Sequence, residues 1–219
     1  MSQPAYSSRT TLDPGRLPLI AASPGLAAAM RRTMDILVSL GLLVFTTPLL
    51  LIVAVLIKAD SNGPVLYRQE RLGLNGTRFQ LFKLRSMRVD AEAHGPRWAD
   101  KRDPRVTRIG RWLRLSRIDE LPQLFNVLAG TMSLVGPRPE RPHFLDQLTR
   151  AIPHYGQRMS VKPGITGWAQ VSYPYGASVE DARHKLSFDL YYLEHRSLAF
   201  DLRILLATVR VVLTGDGAR

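Results

Sequence analysis

Ile36–Ile57 reads ILVSLGLLVFTTPLLLIVAVLI, 22 residues without a charged side chain. A helix needs about 20 such residues to cross the hydrocarbon core of a bilayer. The competing reading is a buried helix in a soluble core, but soluble helices of this length keep a polar side. The stretch begins too deep in the chain, and is too long, for a cleavable signal peptide. Pro48 stands near its middle, behind Thr46 and Thr47. Proline removes one backbone hydrogen bond and clashes with the preceding turn, so a kink is expected there. The threonine hydroxyls are available to the carbonyls that the kink frees. Arg31 and Arg32 precede the segment and Lys58, Arg68 and Arg71 follow it. Basic residues on both sides give the positive-inside rule nothing to choose between. They favour a re-entrant hairpin, entering, bending at Pro48 and leaving by the same face, over a straight span.

The chain has 219 residues, with 45% hydrophobic and 22% charged, an ordinary balance for a folded domain with an appendage. Its charge is less ordinary. Lys+Arg number 30 against 18 Asp+Glu, a net charge of +12. Such a field attracts polyanions: nucleic acid, anionic lipid headgroups or phosphorylated small molecules. There is no cysteine, which excludes disulfides, thiolate catalysis and zinc–thiolate sites. The histidines (94, 143, 154, 184 and 195) form no ligand-spaced pair, so a histidine metal site is not expected.

Outside the apolar segment the pattern predicts an α+β domain. The first 25 residues are rich in Pro, Ser, Thr and Gly, and 1–29 is read as a flexible lead-in. Residues 30–58 form the membrane helix and 59–219 the remaining domain. Val65–Gln69 and Arg78–Arg85 read as strands joined at Asn75-Gly76, a strong hairpin-turn signal. Lys83 and Arg85 then share one strand face. Thr107–Leu115 reads as a basic amphipathic helix. Its Ile109, Trp112 and Leu113 suit the acyl boundary and its arginines suit the phosphates of a membrane surface. Leu121, Leu124, Phe125 and Leu128 form the next helical stripe, with Pro122 in its first turn and Gly130 at its end. The Gly/Pro-rich stretches SLVGPRPERP and VKPGITGWAQV read as shaped loops. A capping box at Ser178–Asp181 opens a helix to about His195, and a last amphipathic helix ends at Gly215.

Arg102, Arg105, Arg108, Arg111, Arg114 and Arg117 recur every third residue and stop at Asp119-Glu120, which open a helix. Acidic residues in a first turn commonly do no more than meet the helix dipole. The alternative is chemical. Adjacent helical residues point about 100° apart, so the two carboxylates suit two separate tasks. One can attack an electrophile while the other holds a cation. A carboxylate attacking a pyrophosphate needs positive charge nearby, from Mg²⁺, arginine or lysine.

The stretches QERLGLNGTRFQLFKLRSM, TRIGRWLRLSRIDELPQLFNVLAGTMSLVGPRPE and VKPGITGWAQV together resemble the bacterial sugar transferase family, the monotopic polyprenol-phosphate phosphoglycosyl transferases. The resemblance runs from about Met30 to Gly215. Larger members carry further transmembrane helices and another domain ahead of this unit, and the chain resembles the minimal catalytic form. The resemblance implies transfer of a sugar-1-phosphate from a UDP-sugar to polyprenol phosphate, with release of UMP. This is the first membrane step of exopolysaccharide, O-antigen or glycoprotein glycan assembly. It implies Asp119 as the nucleophile that carries the phosphosugar and Glu120 as the partner of Mg²⁺. Lys83, Arg85, Arg114, Arg138 and Lys162 match basic positions around the phosphates, and Asp189 matches an acidic position of the family site. Thr47-Pro48 stands where members often have Ser-Pro. The implied location is the cytoplasmic face of a bacterial inner membrane, among anionic lipids, with a homodimer left open. The rival class is a basic, membrane-tethered polyanion-binding protein without catalysis. Against nucleic acid as a partner, arginines at every third position drift about 60° per step around a helix and form no groove-facing row.

Overall fold

The computed structural model describes residues 25–98, 100, 103–173, 176 and 178–214. Nearly all of the expected lead-in, Arg102 of the arginine series and the Gly215 stop lie outside the described residues. Helix α1 spans Gly25–Asp60 as one element with Pro48 inside it. Thr46 and Thr47 donate to Leu42 O (2.7 Å) and Leu43 O (2.6 Å). These carbonyls precede that of Val44, the one left without its amide partner by Pro48, so the hydroxyls reinforce the neighbouring turn.

One face of α1 meets the rest of the molecule. Arg31, Asp35, Ser39 and Leu43 are buried at four-residue intervals, and Val53 and Ile57 continue on the same side. Polar contacts fix the first limb. Arg31 Nε pairs with Asp201 Oδ2 at 2.7 Å, and Ser133 Oγ and Leu134 N donate to Asp35 Oδ1. Of the most apolar 18-residue window of α1, 17% is buried. A soluble core helix would be largely covered, so that reading is set aside for this segment.

Strands β1 (Leu66–Leu72) and β2 (Arg78–Leu84) form an antiparallel hairpin in which Tyr67 faces Lys83. Asn75 and Gly76 take φ of 53° and 75° in the connection, which is why this dipeptide turns the chain. Helix α2 (Arg108–Ser116) starts at Thr107, whose Oγ1 accepts from Gly110 N at 2.9 Å. Asp60 at the end of α1 also accepts from Ile109 N, placing a carboxylate at the positive end of α2. The anticipated stripe on α2 divides. Leu113 packs with Val53, Ile57 and Leu84, and Ile109 lies against them, whereas Trp112 stands 48% exposed.

After α2 the chain turns at Arg117, a non-glycine residue at φ 57°, into a 3₁₀ turn over Ile118–Glu120 and then α3 (Gln123–Leu128). The acidic pair therefore sits one short turn ahead of the α-helix proper. The two Gly/Pro-rich stretches do more than loop. β3 (Ser133–Val135) and β4 (Gly164–Thr166) pair in parallel. A Cβ on Gly164 would lie 2.1 Å from Gly136 N, so these backbones approach where only glycine fits. Helices α4 (Pro142–Ala151), α5 (Trp168–Ser172), α6 (Val179–His195) and α7 (Leu198–Thr214) complete the domain. The expected capping box of α6 is present. On α7 the anticipated apolar stripe turns outward: Leu206 is 74% and Leu213 81% exposed, while Asp201 and Ile204 face the core.

Candidate functional site

Asn126 sets the site by docking α3 on the free edge of β2. Its Nδ2 donates to Gln80 O at 2.7 Å and its Oδ1 accepts from Phe82 N at 3.0 Å. A side-chain amide thereby does the work of a neighbouring strand. The docking brings Lys83, the next residue along β2, over the 3₁₀ turn, where its Nζ lies 2.8 Å from Glu120 Oε1. Arg138 reaches the same carboxylate from the loop after β3. Glu120 is therefore clamped between two cations. Burial opposes its ionisation, but Arg138 and Lys83 outweigh that and hold its carboxyl well below the usual range.

Asp119 is 6% exposed and takes no share in that clamp. Burial pushes its pKa up to about 6, against the pull of Lys83 and with the repulsion of Glu120 added, while Arg114 and Arg138 lower it. One environment thus separates two adjacent carboxyls: Glu120 firmly ionised, Asp119 titrating close to neutrality. A buried, poorly solvated carboxylate among cations has the attributes of a nucleophile.

The remaining residues singled out in the sequence divide between the site and elsewhere. Arg114, in the last turn of α2, is close enough to act on Asp119 electrostatically. Arg85 lies just past β2, but its guanidinium donates to Ser61 O and Asn62 O and so closes the turn after α1, with Gly63 packed against it. The Nζ of Lys162 lies at Gly130, beyond the carboxyl end of α3, next to the Arg32 guanidinium. Arg32 itself donates to Val127 O and Leu128 O. Asp189 is buried at the centre of α6, 2.9 Å from Arg158 Nη2. Arg158 in turn donates to Arg138 O at 2.9 Å and to the Tyr155 hydroxyl at 2.6 Å, and lies 3.6 Å from Glu140. A chain of contacts therefore runs from Asp189 through Arg158 to the backbone of Arg138, whose side chain holds Glu120.

Sequence reasoning passed over Arg71, Gln123, Asn126 and Arg158. For Gln123 and Asn126 a signal existed. They are two polar residues three apart in an otherwise apolar helix, and both are buried. Nothing in the local pattern distinguishes Arg71 or Arg158 from a solvated arginine.

Among the described residues no group of three or more His, Asp or Glu side chains converges as a metal cage. Mg²⁺ needs no such cage, because one or two carboxylates completed by substrate phosphates hold it, and Asp119 and Glu120 are the carboxylates of this site.

A long apolar helix docked on a small α+β domain, with an acidic pair set among lysine and arginine side chains, defines the class. The model of the bacterial sugar transferase family matches residues 26–215, and the chain belongs to that family. It is 49% identical over 192 residues to a UDP-N-acetylgalactosamine-undecaprenyl-phosphate N-acetylgalactosaminephosphotransferase of Aeromonas hydrophila, covering 88% of this chain and 45% of the relative. It is 44% identical over 211 residues to a UDP-glucose:undecaprenyl-phosphate glucose-1-phosphate transferase of Caulobacter vibrioides, covering 95% and 77%. An exopolysaccharide production protein of Rhizobium leguminosarum bv. phaseoli is 43% identical over 194 residues, covering 84% and 96%. The chain thus spans under half of the Aeromonas relative and nearly all of the Rhizobium one.

Proposed function

We propose that this protein transfers a sugar-1-phosphate from a UDP-sugar to undecaprenyl phosphate at the cytoplasmic face of a bacterial inner membrane. Asp119 attacks the sugar-bearing phosphorus, and the bond from that phosphorus to the UMP oxygen breaks, UMP leaving with the electron pair. An oxygen of the polyprenol phosphate then attacks the same phosphorus. The bond to Asp119 breaks, which gives polyprenol diphosphate-sugar and restores the carboxylate. The observation that carries this reading is the split between the two carboxyls. Glu120 is neutralised by Lys83 and Arg138, while Asp119 is buried, unclamped and raised towards neutral pH. The activities for which the Aeromonas and Caulobacter relatives are named support the reaction class.

Lys83, Arg114 and Arg138 offset the diphosphate's charge as the carboxylate approaches. Glu120, with the substrate's own phosphates, would hold Mg²⁺. The ion would supply further neutralisation of the diphosphate and of the departing UMP. The Asp189–Arg158 pair fixes the loop that presents Arg138. The one cationic cluster serves both phosphate substrates in turn, so UMP leaves before the lipid phosphate enters.

The membrane arrangement is a bent α1 whose limbs return to one side. Both limbs turn the same face to the domain, and Val44, Phe45, Thr47, Pro48 and Leu49 between them stand exposed. Pro48 lies nine residues, about 180° around the helix, from both Ser39 and Ile57 on the covered face. Its ring opens the helix on the outer side, which closes the bend towards the domain. Trp112, Leu115, Phe125, Leu206 and Leu213 are exposed apolar side chains suited to the same interface. The testing experiment is a panel of UDP-sugars with undecaprenyl phosphate in detergent, read by UMP release. Release from at least one UDP-sugar is expected, and release from none contradicts the reading.

A further inference from the structure

Between the β1–β2 hairpin and the loop carrying Arg138 lies a small cleft lined by Arg71, Leu81, Lys83, Gln123, Arg138 and Pro139. Two of its polar groups are not accounted for by the reaction above. Gln123 is 1% exposed, and its amide nitrogen is buried without a hydrogen-bond partner. A buried amide donor is ordinarily satisfied, and leaving one unpaired is costly. Arg71 is partly buried and meets only neutral acceptors: Nε and Nη2 donate to Gln69 Oε1, and Nη1 to Pro139 O at 2.9 Å. Burial lowers its pKa to about 10; Glu140 and Glu120 oppose the fall, and Arg138 and Arg141 add to it. The cleft therefore gathers three cations and an idle neutral donor, and Glu120 pairs with only two of the three, Lys83 and Arg138. Such a set of donors is completed by an anion with several acceptor oxygens.

We infer that Gln123 and Arg71 belong to a phosphate subsite in this cleft, where the Gln123 amide donates to a phosphate oxygen of a substrate of the proposed reaction. Gln123 follows Asp119 by four residues and opens α3, directly after the 3₁₀ turn that carries Asp119, so a phosphate held there lies one short turn of chain from the nucleophile. Gln123 is then a binding residue that recognises phosphate through a neutral donor, and it keeps that role whatever the pH. The inference rests on the proposed function for the identity of the phosphate, and on the unpaired amide and an arginine hydrogen-bonded only to neutral acceptors for the subsite itself. Two substrates carry the required chemistry, the nucleotide-sugar and the lipid phosphate.

The test replaces Gln123→Met, which keeps the length and removes the amide. Three quantities are measured in detergent: the melting temperature without ligand, the affinity for UMP by titration calorimetry, and the KM for each substrate. The expected result is an unchanged or higher melting temperature, because an unpaired buried donor has been removed. With it comes a loss of about 10- to 100-fold in affinity for the phosphate concerned. Weaker UMP binding with a raised KM for the UDP-sugar assigns the cleft to the nucleotide. An unchanged UMP affinity with a raised KM for undecaprenyl phosphate assigns it to the lipid. If the variant melts lower and binds both as the wild type does, the amide serves structure through a bound water and the inference is overturned. A wild type that releases UMP from no UDP-sugar overturns the proposed function instead, and the subsite's substrate with it.

Discussion

Asp119 titrates near pH 6, so the chemistry at this residue should carry a pH signature. Attack requires the ionised carboxylate. We expect kcat/KM to fall on an acid limb centred near pH 6, measured by UMP release across pH 4.5–8.5. A limb near the ordinary carboxylate value of 3.8 would remove burial as the source of its reactivity. Stability should move in the opposite sense. The folded state binds this proton more tightly than the unfolded chain, so Asp119 is without cost below about pH 4, and the cost grows as pH rises from about 4 to about 6 and is complete above it. Asp119→Asn cannot ionise. It should lack turnover, yet be more stable than the wild type at pH 7.5 by about 3 kcal/mol and equal to it below pH 4. Denaturant melts at the two pH values check this. A variant less stable than the wild type at pH 7.5 would mean that the carboxylate is a structural partner.

At the scale of elements, much was legible because local chemistry settles it. Asn75-Gly76 turned the hairpin through two positive φ angles, Thr107 capped α2, and Ser178 with Asp181 capped α6. What the sequence hid depends on distant approach. The β3–β4 pairing joins residues about thirty apart through bare glycine backbones, and no periodicity announces three-residue strands. Arg85 shares a strand face with Lys83 on paper, but one residue past the strand it meets the end of α1 instead. Asn126 could be seen as a polar interruption of an apolar helix. Its partner, the edge of β2, could not. The Pro48 segment was legible as one long apolar helix, and threonine back-bonds and packing on both limbs carry that helix through the proline. Pro48→Ala restores the missing amide and should straighten α1 into a span. A cysteine placed in residues 1–24 reports it, since the chain has none of its own. In the wild type that cysteine should react only from the cytoplasmic side, and in Pro48→Ala partly from the periplasmic side. Periplasmic labelling of the wild type would contradict the bent helix.

Over the whole molecule, charge and apolar exposure have one explanation between them. A net charge of +12 suits an anionic membrane surface and phosphate substrates, and the uncovered side chains of α1 and α7 suit the lipid beneath it. The acidic pair follows directly from α2, whose Trp112 and Leu115 face outward, so the proposed attachment and the proposed chemistry share one stretch of chain. This layout allows a soluble nucleotide-sugar to react first and a lipid phosphate, already at headgroup depth, to react second. The measurement that bears on it most directly is the intact mass of the purified protein after incubation with Mg²⁺ and the UDP-sugar that supports UMP release, in the absence of any polyprenol phosphate. A mass increase of one sugar phosphate is expected on the wild type, mapped to Asp119, absent from Asp119→Asn, and lost when undecaprenyl phosphate is added. A preparation that turns over with both substrates yet never gains that mass without the lipid would contradict both the covalent carboxylate and the order of the two steps.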